Sequence, residues 1–173
     1  MFIWICAVVL AVFLDQATKW IAVIFLEGNP SVRFIDWFMQ FTYVENTGAA
    51  WGIFGSPDQR WIFMTLSSVA ILAIMLYIFI MKPKNKLLRY SLALIVAGGI
   101  GNMIDRILLG YVVDFLEFTF IDFPVFNVAD SFVCIGAAML ILYMIIETVK
   151  EYKNGKQKSD TERSDKGAGG DKA

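Results

Sequence analysis

Four long apolar runs, separated by polar segments, dominate the pattern of hydrophobic and polar positions along this chain. They cover residues 2–26, 61–81, 88–108 and 126–148. Each run reaches the roughly 20 residues that a helix needs to cross a bilayer. Between the first two runs, residues 32–45 are rich in aromatic and β-branched side chains, which favour short strands. The pattern therefore predicts an α-helical integral membrane protein with four transmembrane helices and a small β-sheet outside them.

The composition supports a membrane protein and adds a domain division. The chain is 58% hydrophobic and only 18% charged, whereas soluble domains are about 45–50% apolar and about 25% charged. The first run lacks a basic start and a small-residue cleavage site, so we interpret it as a retained transmembrane helix. We predict one membrane domain over residues 1–150, with a β-rich outer insertion at about 27–60. Residues 151–173 alternate charge with Gly and Ser, which predicts a disordered cytoplasmic tail.

Lysine and arginine are distributed unevenly over the connections between the runs. They cluster between the second and third runs and again after the fourth, while the other two connections carry only Arg33 and Arg60. Cytoplasmic segments of membrane proteins are enriched in Lys and Arg. We therefore expect the N- and C-termini in the cytoplasm and the β-rich insertion on the outer side.

Two residue types limit the chemistry that is available. The chain has no histidine, which removes Ser-His-Asp and Cys-His nucleophile arrangements and every His-liganded metal site. Cys6 and Cys134 lie singly in apolar runs, so they predict neither a disulfide framework nor a zinc site. We interpret Cys134 as a small core residue.

Polar and ionisable side chains in the runs fall near one predicted depth, close to the outer surface. They are Asp15, Lys19, Asn102, Asp105, Arg106, Asn127 and Asp130, with Asp114 in the loop before the fourth run. Ionisable groups within a bilayer are costly and usually functional, so this convergence favours a site. Asp15 and Lys19 lie one helical turn apart, and we interpret them as an internal ion pair that fixes helix packing.

Carboxylates without His or Cys partners favour a two-aspartate mechanism, with Asp114 and Asp130 as the pair. Two acids in one site cannot both ionise easily, so one holds a proton while the other draws a proton from water. The alternative is that both are merely solvated at the interface. Asp105 lies beside Arg106, whose charge disfavours an acid role, so we assign Asp105 to support.

Two other classes of function remain open on these residues. Buried Asp and Lys pairs also mark ion paths in a transporter or a proton-coupled channel. The predicted clustering at one depth and the apolar second run argue against a path across the membrane. A non-catalytic membrane assembly factor is the third possibility.

Five short motifs occur in a fixed order along the chain. They are Asp15-Gln16-Ala17-Thr18-Lys19, Asn46-Thr47-Gly48-Ala49-Ala50, Gly101-Asn102 with Asp105-Arg106, Gly110-Tyr111-Val112-Val113-Asp114-Phe115, and Phe126-Asn127-Val128-Ala129-Asp130. Any one of them is a weak signal, but together they are highly specific. Over about residues 1–148 the chain resembles the bacterial lipoprotein signal peptidases, the type II signal peptidases.

The resemblance implies an aspartyl endopeptidase of the bacterial cytoplasmic membrane. Such enzymes remove the signal peptide from diacylglyceryl-modified prolipoproteins by cleaving before the lipidated cysteine. It further implies an active site near the outer surface, contact with membrane lipid and inhibition by globomycin-type cyclic peptides. No metal, cofactor or nucleic acid is expected.

The resemblance also assigns roles to the motif residues. Asp114 and Asp130 would form the catalytic dyad. The substrate-binding residues would be Asn46, Gly48, Asn102, Arg106 and Asn127, and the supporting residues would be Asp15, Lys19 and Asp105. The family fold adds a sheet that cradles the substrate and a short lid helix after the Asn-x-Gly stretch, where Trp51 would gate the site.

Overall fold

The structure is a computed structural model that describes residues 2–48 and 57–168. Within these ranges the helices are α1 (Phe2–Leu26), α2 (Pro57–Met81), α3 (Lys86–Leu108) and α4 (Val128–Ala168). The strands are β1 (Val32–Ile35), β2 (Met39–Asn46) and β3 (Val112–Phe118). All four helices are long and apolar enough to cross a membrane. The predicted architecture of four transmembrane helices and a small antiparallel sheet is confirmed.

Helix α3 is the central helix of the bundle. In its most hydrophobic stretch 50% of the residues are buried inside the protein, against 6% in α2. The small residues of α3 allow this, because a Cβ on Gly98 would meet the backbone carbonyl of Ala129 in α4. Ala97, Gly101 and Asp105 share one buried face, as their four-residue spacing predicts. The apolar side chains of α2 are mostly exposed, as expected of a helix that faces lipid.

The three strands form an antiparallel sheet in the order β1-β2-β3. One face of β3 packs through Val113 and Phe115 against Ala22 and Leu26 near the end of α1. Because successive side chains of a strand point to opposite faces, Asp114 points away from α1. Asp114 is thus on the face of β3 opposite to the side chains of Val113 and Phe115.

Two turns carry the chain from α3 through β3 into α4. Gly110 has φ +86° in the turn after α3, a conformation that favours glycine. After β3 the chain folds back, so that the backbone N–H of Leu116 donates to the carbonyl of Phe126 at 2.7 Å and the reverse bond is 2.9 Å. This bridge places the residues that follow Phe126, including the start of α4, beside β3.

The structure differs from the sequence predictions at α4. The helix is continuous to Ala168, so residues 151–168 are helical rather than disordered. Residues 151–168 extend a helix that has already formed, so they do not bear the free-energy cost of nucleating one. They are also rich in Glu, Lys, Gln and Arg, which are good helix formers. Cys134 is exposed on the surface of α4, so its interpretation as a core residue is wrong. The predicted lid helix and Trp51 lie outside the described residues.

Candidate active site

Asp114 and Asp130 approach each other from β3 and from the first turn of α4, and Asn127 joins them. The Nδ2 of Asn127 donates to Oδ1 of Asp114 at 2.6 Å. The backbone N–H of Asn127 donates to Oδ2 of Asp130 at 3.1 Å. Asp114 is only 2% exposed, whereas Asp130 is partly exposed. The structure therefore brings both predicted acids, 16 positions apart in sequence numbering, onto one residue, Asn127, whose side chain bonds Asp114 and whose backbone N–H bonds Asp130.

The start of α4 fixes the position of Asp130. Asn127 caps the helix, since its Oδ1 accepts from the backbone N–H of Asp130 at 3.0 Å. In turn, Oδ2 of Asp130 accepts from the backbone N–H of Asn127. The two hydrogen bonds together form a capping box. A side chain tied at both its backbone and its carboxylate has little freedom to move.

Two more asparagines donate to the acids from other elements. Asn46, at the end of β2, donates its Nδ2 to Oδ2 of Asp114 at 2.9 Å, while its Oδ1 accepts from the backbone of Gly48. Asn102 in α3 donates its Nδ2 to Oδ1 of Asp130 at 2.7 Å. Each carboxylate oxygen of the pair therefore accepts one hydrogen bond.

Lys19 lies at the centre of a buried ionic network behind the acids. Its Nζ is 3.0 Å from Oδ2 of Asp15 and 3.0 Å from Oδ2 of Asp105, and it donates to Oδ1 of Asn102 at 2.7 Å. Gln16 donates to Asp105 at 2.9 Å and to Asp15 at 3.2 Å. The predicted ion pair of Asp15 and Lys19 is present, but it extends into α3 and towards the acids.

The two supporting carboxylates hold backbone groups beside the acids. Oδ1 of Asp15 accepts from the N–H of Ala129 at 2.9 Å, one residue before Asp130. Oδ2 of Asp105 accepts from the N–H of Val113 at 3.1 Å, one residue before Asp114. These two anchors, and the role of Gln16 between them, were missed from the sequence. Gln16 directly follows Asp15 in α1, and nothing in its sequence position indicated that its side chain would contact α3.

Arg106 contacts the segment that follows β2. Its Nη2 donates to the carbonyl of Gly48 at 3.1 Å, and its Nη1 donates to the carbonyl of Asn102 at 3.3 Å. The sequence interpretation paired Asp105 with the adjacent Arg106. The close ion pair of Asp105 is instead with Lys19, because residues i and i+1 of a helix point in different directions.

Burial raises the pKa of Asp114 from its ordinary value of 3.8 to about 7. The nearby charge of Asp130 acts in the same direction, while the hydrogen bonds from Asn46 and Asn127 oppose the rise. At neutral pH a substantial fraction of Asp114 is therefore protonated. An acid that holds a proton next to a second carboxylate can serve as a proton donor.

The described residues contain no group of three or more His, Cys, Asp and Glu side chains that could hold a metal ion. Within the same residues, every buried side-chain nitrogen or oxygen has a hydrogen-bond partner. The polar cluster is thus internally satisfied, and its carboxylates are engaged by amides, backbone N–H groups and Lys19.

The chain matches the family described as signal peptidase (SPase) II over residues 7–146. It is 44% identical over 146 residues to a lipoprotein signal peptidase of Clostridium tetani, covering 83% of this chain and 92% of that protein. A lipoprotein signal peptidase of Caldanaerobacter subterraneus is 46% identical over 144 residues, covering 83% and 96%.

Two solved structures of bacterial membrane enzymes, obtained by the in meso method, have a similar fold. One has a TM-score of 0.77 at 31% identity and covers 86% of this chain and 90% of its own. The other has a TM-score of 0.74 at 33% identity and covers 83% and 93%. On the family match and these relatives, the chain belongs to the signal peptidase II family.

Proposed function

We propose that this protein is an aspartyl endopeptidase that removes the signal peptide from diacylglyceryl-modified prolipoproteins by cleaving before the lipidated cysteine. Membership of the signal peptidase II family supports the removal of prolipoprotein signal peptides. The observation that carries the aspartyl mechanism is the meeting of Asp114 and Asp130 on the side chain and backbone of Asn127.

Asp130 is the base and Asp114 is the acid in the mechanism that we propose. Asp130 lies in the first turn of α4, where the helix dipole favours a negative charge. It takes a proton from water as the water oxygen attacks the scissile carbonyl carbon, and Asp114 donates its proton to the carbonyl oxygen. When the C–N bond breaks, Asp130 gives its proton to the leaving nitrogen, and Asp114 recovers a proton from the intermediate.

The orientation of the protein follows from charge and from the position of the acids. Lys82, Lys84 and Lys86 lie at the connection of α2 and α3, at the opposite end of α3 from Asp105. If that connection is cytoplasmic, the acids lie near the outer surface and both termini are cytoplasmic. The exposed apolar face of α2 suits entry of a lipidated substrate from the bilayer.

Five residues around the acids are proposed to contact substrate. They are Asn46, Gly48, Asn102, Arg106 and Asn127. The hydrogen bonds from Arg106 to Gly48 and from Asn46 to Asp114 support this, because they bring the end of β2 over the acids. A globomycin-type cyclic peptide is expected to compete with substrate for these groups.

Replacing either acid by asparagine tests the proposal. Asp114→Asn and Asp130→Asn each remove a proton-transfer group without changing side-chain volume. We expect the rate of cleavage of a lipid-modified prolipoprotein, measured by gel shift, to fall by about 10²–10⁴-fold in each variant. Both variants should insert into membranes and purify as the unchanged protein does.

Asp122→Asn is the matched control, because Asp122 is an exposed carboxylate in the loop that joins β3 to α4. It should cleave at the unchanged rate. If both dyad variants also retain that rate, the two-aspartate mechanism is wrong.

A further inference from the structure

The side chain of Asn102 lies between Lys19 and Asp130. Its Oδ1 accepts from Nζ of Lys19 at 2.7 Å and from Nδ2 of Asn127 at 3.0 Å. Its Nδ2 donates to Oδ1 of Asp130 at 2.7 Å. The side-chain amide of Asn102 therefore links the buried ammonium group of Lys19 to the carboxylate of Asp130.

The orientation of this amide is determined by its neighbours. An ammonium group has three N–H donors and no acceptor, so the atom of Asn102 that faces Lys19 must be the oxygen. The amide of Asn127 is itself fixed, since its Oδ1 accepts from the backbone N–H of Asp130. A rotated Asn102 would therefore place N–H groups against two donors and its oxygen against the carboxylate of Asp130.

Lys19 cannot move to another partner. It is 3% exposed, and its contacts to Asp15, Asp105 and Asn102 match its three donors. The two carboxylates that hold it are themselves tied to backbone N–H groups of α4 and β3. The ammonium group of Lys19 is consequently held in one position, and it determines the orientation of the Asn102 amide.

We propose that Lys19 is a positioning residue: it orients the amide of Asn102 so that Asn102 donates to Asp130 and holds Asp130 as the ionised member of the dyad. A carboxylate that accepts a hydrogen bond from an amide is stabilised in its charged form. The inference rests on the proposed two-aspartate function and adds which acid is kept ionised and by which residues.

Other charges also face the dyad and must stay constant in a test. Asp114 approaches Asp130 from β3, and Arg106 of α3 lies within electrostatic range of both acids. On the α1 side, Lys19 acts through Asn102, with Asp15 and Asp105 behind it. None of these groups is altered by a substitution at Asn102.

Asn102→Leu is the sharpest test. It keeps the approximate shape of the side chain and adds no charge, but it presents a methyl group instead of an N–H group to Asp130. We expect the acid limb of the kcat–pH profile to move up by about one unit, which is about tenfold less ionised Asp130 below the limb. The carboxyl ¹³C resonance of Asp130, assigned by its loss in Asp130→Asn, should titrate with the same shift.

Lys19→Gln and Lys19→Met separate orientation from charge. Both remove the cation, but only glutamine retains an N–H donor for Oδ1 of Asn102. We expect the acid limb of Lys19→Gln to lie closer to that of the unchanged protein than the limb of Lys19→Met. Gln16→Met is the control within the same network, because Gln16 contacts Asp15 and Asp105 but is bonded neither to Asn102 nor to the dyad. It should lower thermal stability and leave the acid limb in place.

The inference is overturned if the Asp130 resonance of Asn102→Leu titrates within about 0.3 unit of the unchanged protein. It is also overturned if Lys19→Gln and Lys19→Met have the same acid limb. If the Lys19 variants do not fold, Asn102→Leu decides alone. Failure of the proposed function looks different: Asp130→Asn would then cleave prolipoprotein at the unchanged rate, whatever the Asn102 variant does.

Discussion

At the scale of single residues, three asparagines organise the two acids. Asn46, Asn102 and Asn127 each have an oxygen held by a group that can only donate, namely the Gly48 N–H, the Lys19 ammonium and the Asp130 N–H. Their N–H groups are therefore directed at the carboxylates. An amide with one fixed end is a rigid donor, so these three side chains hold three of the four carboxylate oxygens of Asp114 and Asp130 in place.

The raised pKa of Asp114 has a consequence for stability. Its pKa is about 7 in the folded protein and 3.8 ordinarily, so folding favours the protonated form. The stabilisation from that proton is complete below about pH 4 and is lost as the pH rises through about 7. Thermal unfolding in detergent should therefore show the protein becoming less stable between pH 5 and pH 8, where the carboxylate must be buried with its charge.

In Asp114→Asn this pH dependence should weaken. We expect the variant to unfold at a higher temperature than the unchanged protein at pH 8, by about 2–8 °C for a gain of roughly 1–2 kcal/mol. The order should reverse near pH 4, because an amide in place of the carboxyl turns one N–H group towards Asn46 or Asn127. Parallel curves for the two proteins over this pH range would contradict a buried, proton-holding Asp114.

At the scale of elements, the sequence predicted the helices and strands well because their signals are local. Apolar length marked the four helices, and the aromatic, β-branched stretch at residues 32–45 marked β1 and β2. The four-residue repeat that ends at Asp105 also predicted the buried face of α3. Local sequence signals could not predict which polar atoms form hydrogen bonds with each other. The bond of Asp15 to Ala129 depends on how α1 packs on α4, and the bond of Asp105 to Val113 depends on how α3 packs on β3.

Gly101 is a point on α3 where α1 and α4 both approach closely. A Cβ there would collide with Oδ2 of Asp15 and lie 3.3 Å from Cβ of Ala129. Gly101→Ala should therefore destabilise the protein by about 1–3 kcal/mol and reduce cleavage, because it displaces the carboxylate that anchors the start of α4. Thermal unfolding and gel-shift cleavage measure the two effects.

Gly155→Ala is the matched control, since nothing lies within 4 Å of the added Cβ and the residue is helical. Alanine in an exposed helix should be neutral or stabilising by about 0.5–1 kcal/mol. Equal destabilisation by both substitutions would mean that the contact with Asp15 does not explain the effect at Gly101.

At the scale of the whole molecule, α4 continues beyond the part of the chain that matches the family. The family match ends at residue 146, and residues 151–157 are all exposed. The Lys150–Glu147 pair in between is exposed, with Nζ and Oε1 2.8 Å apart, and such pairs contribute little stability. Residues 151–157 thus extend the helix without adding to the core or to the acid cluster.

Removing residues 159–173 should leave cleavage within roughly twofold of the unchanged protein, because these residues lie beyond the family match. The truncation keeps the lysines that follow α4's apolar part, so orientation should not change. Cleavage of prolipoprotein by membranes that contain equal amounts of the two forms measures this. A large loss with normal insertion would contradict this expectation and assign residues 159–173 a role in cleavage.

Asn127 both starts α4 and joins the two acids, and this has a consequence for biosynthesis. On the proposed function, no partly inserted chain can be an active protease, because the amide that pairs the acids acquires its position only when the final transmembrane segment has docked. Proteolytic competence is then acquired in one step, at the end of membrane integration. Immature copies in the translocation machinery would remain harmless to the lipoprotein precursors that pass beside them.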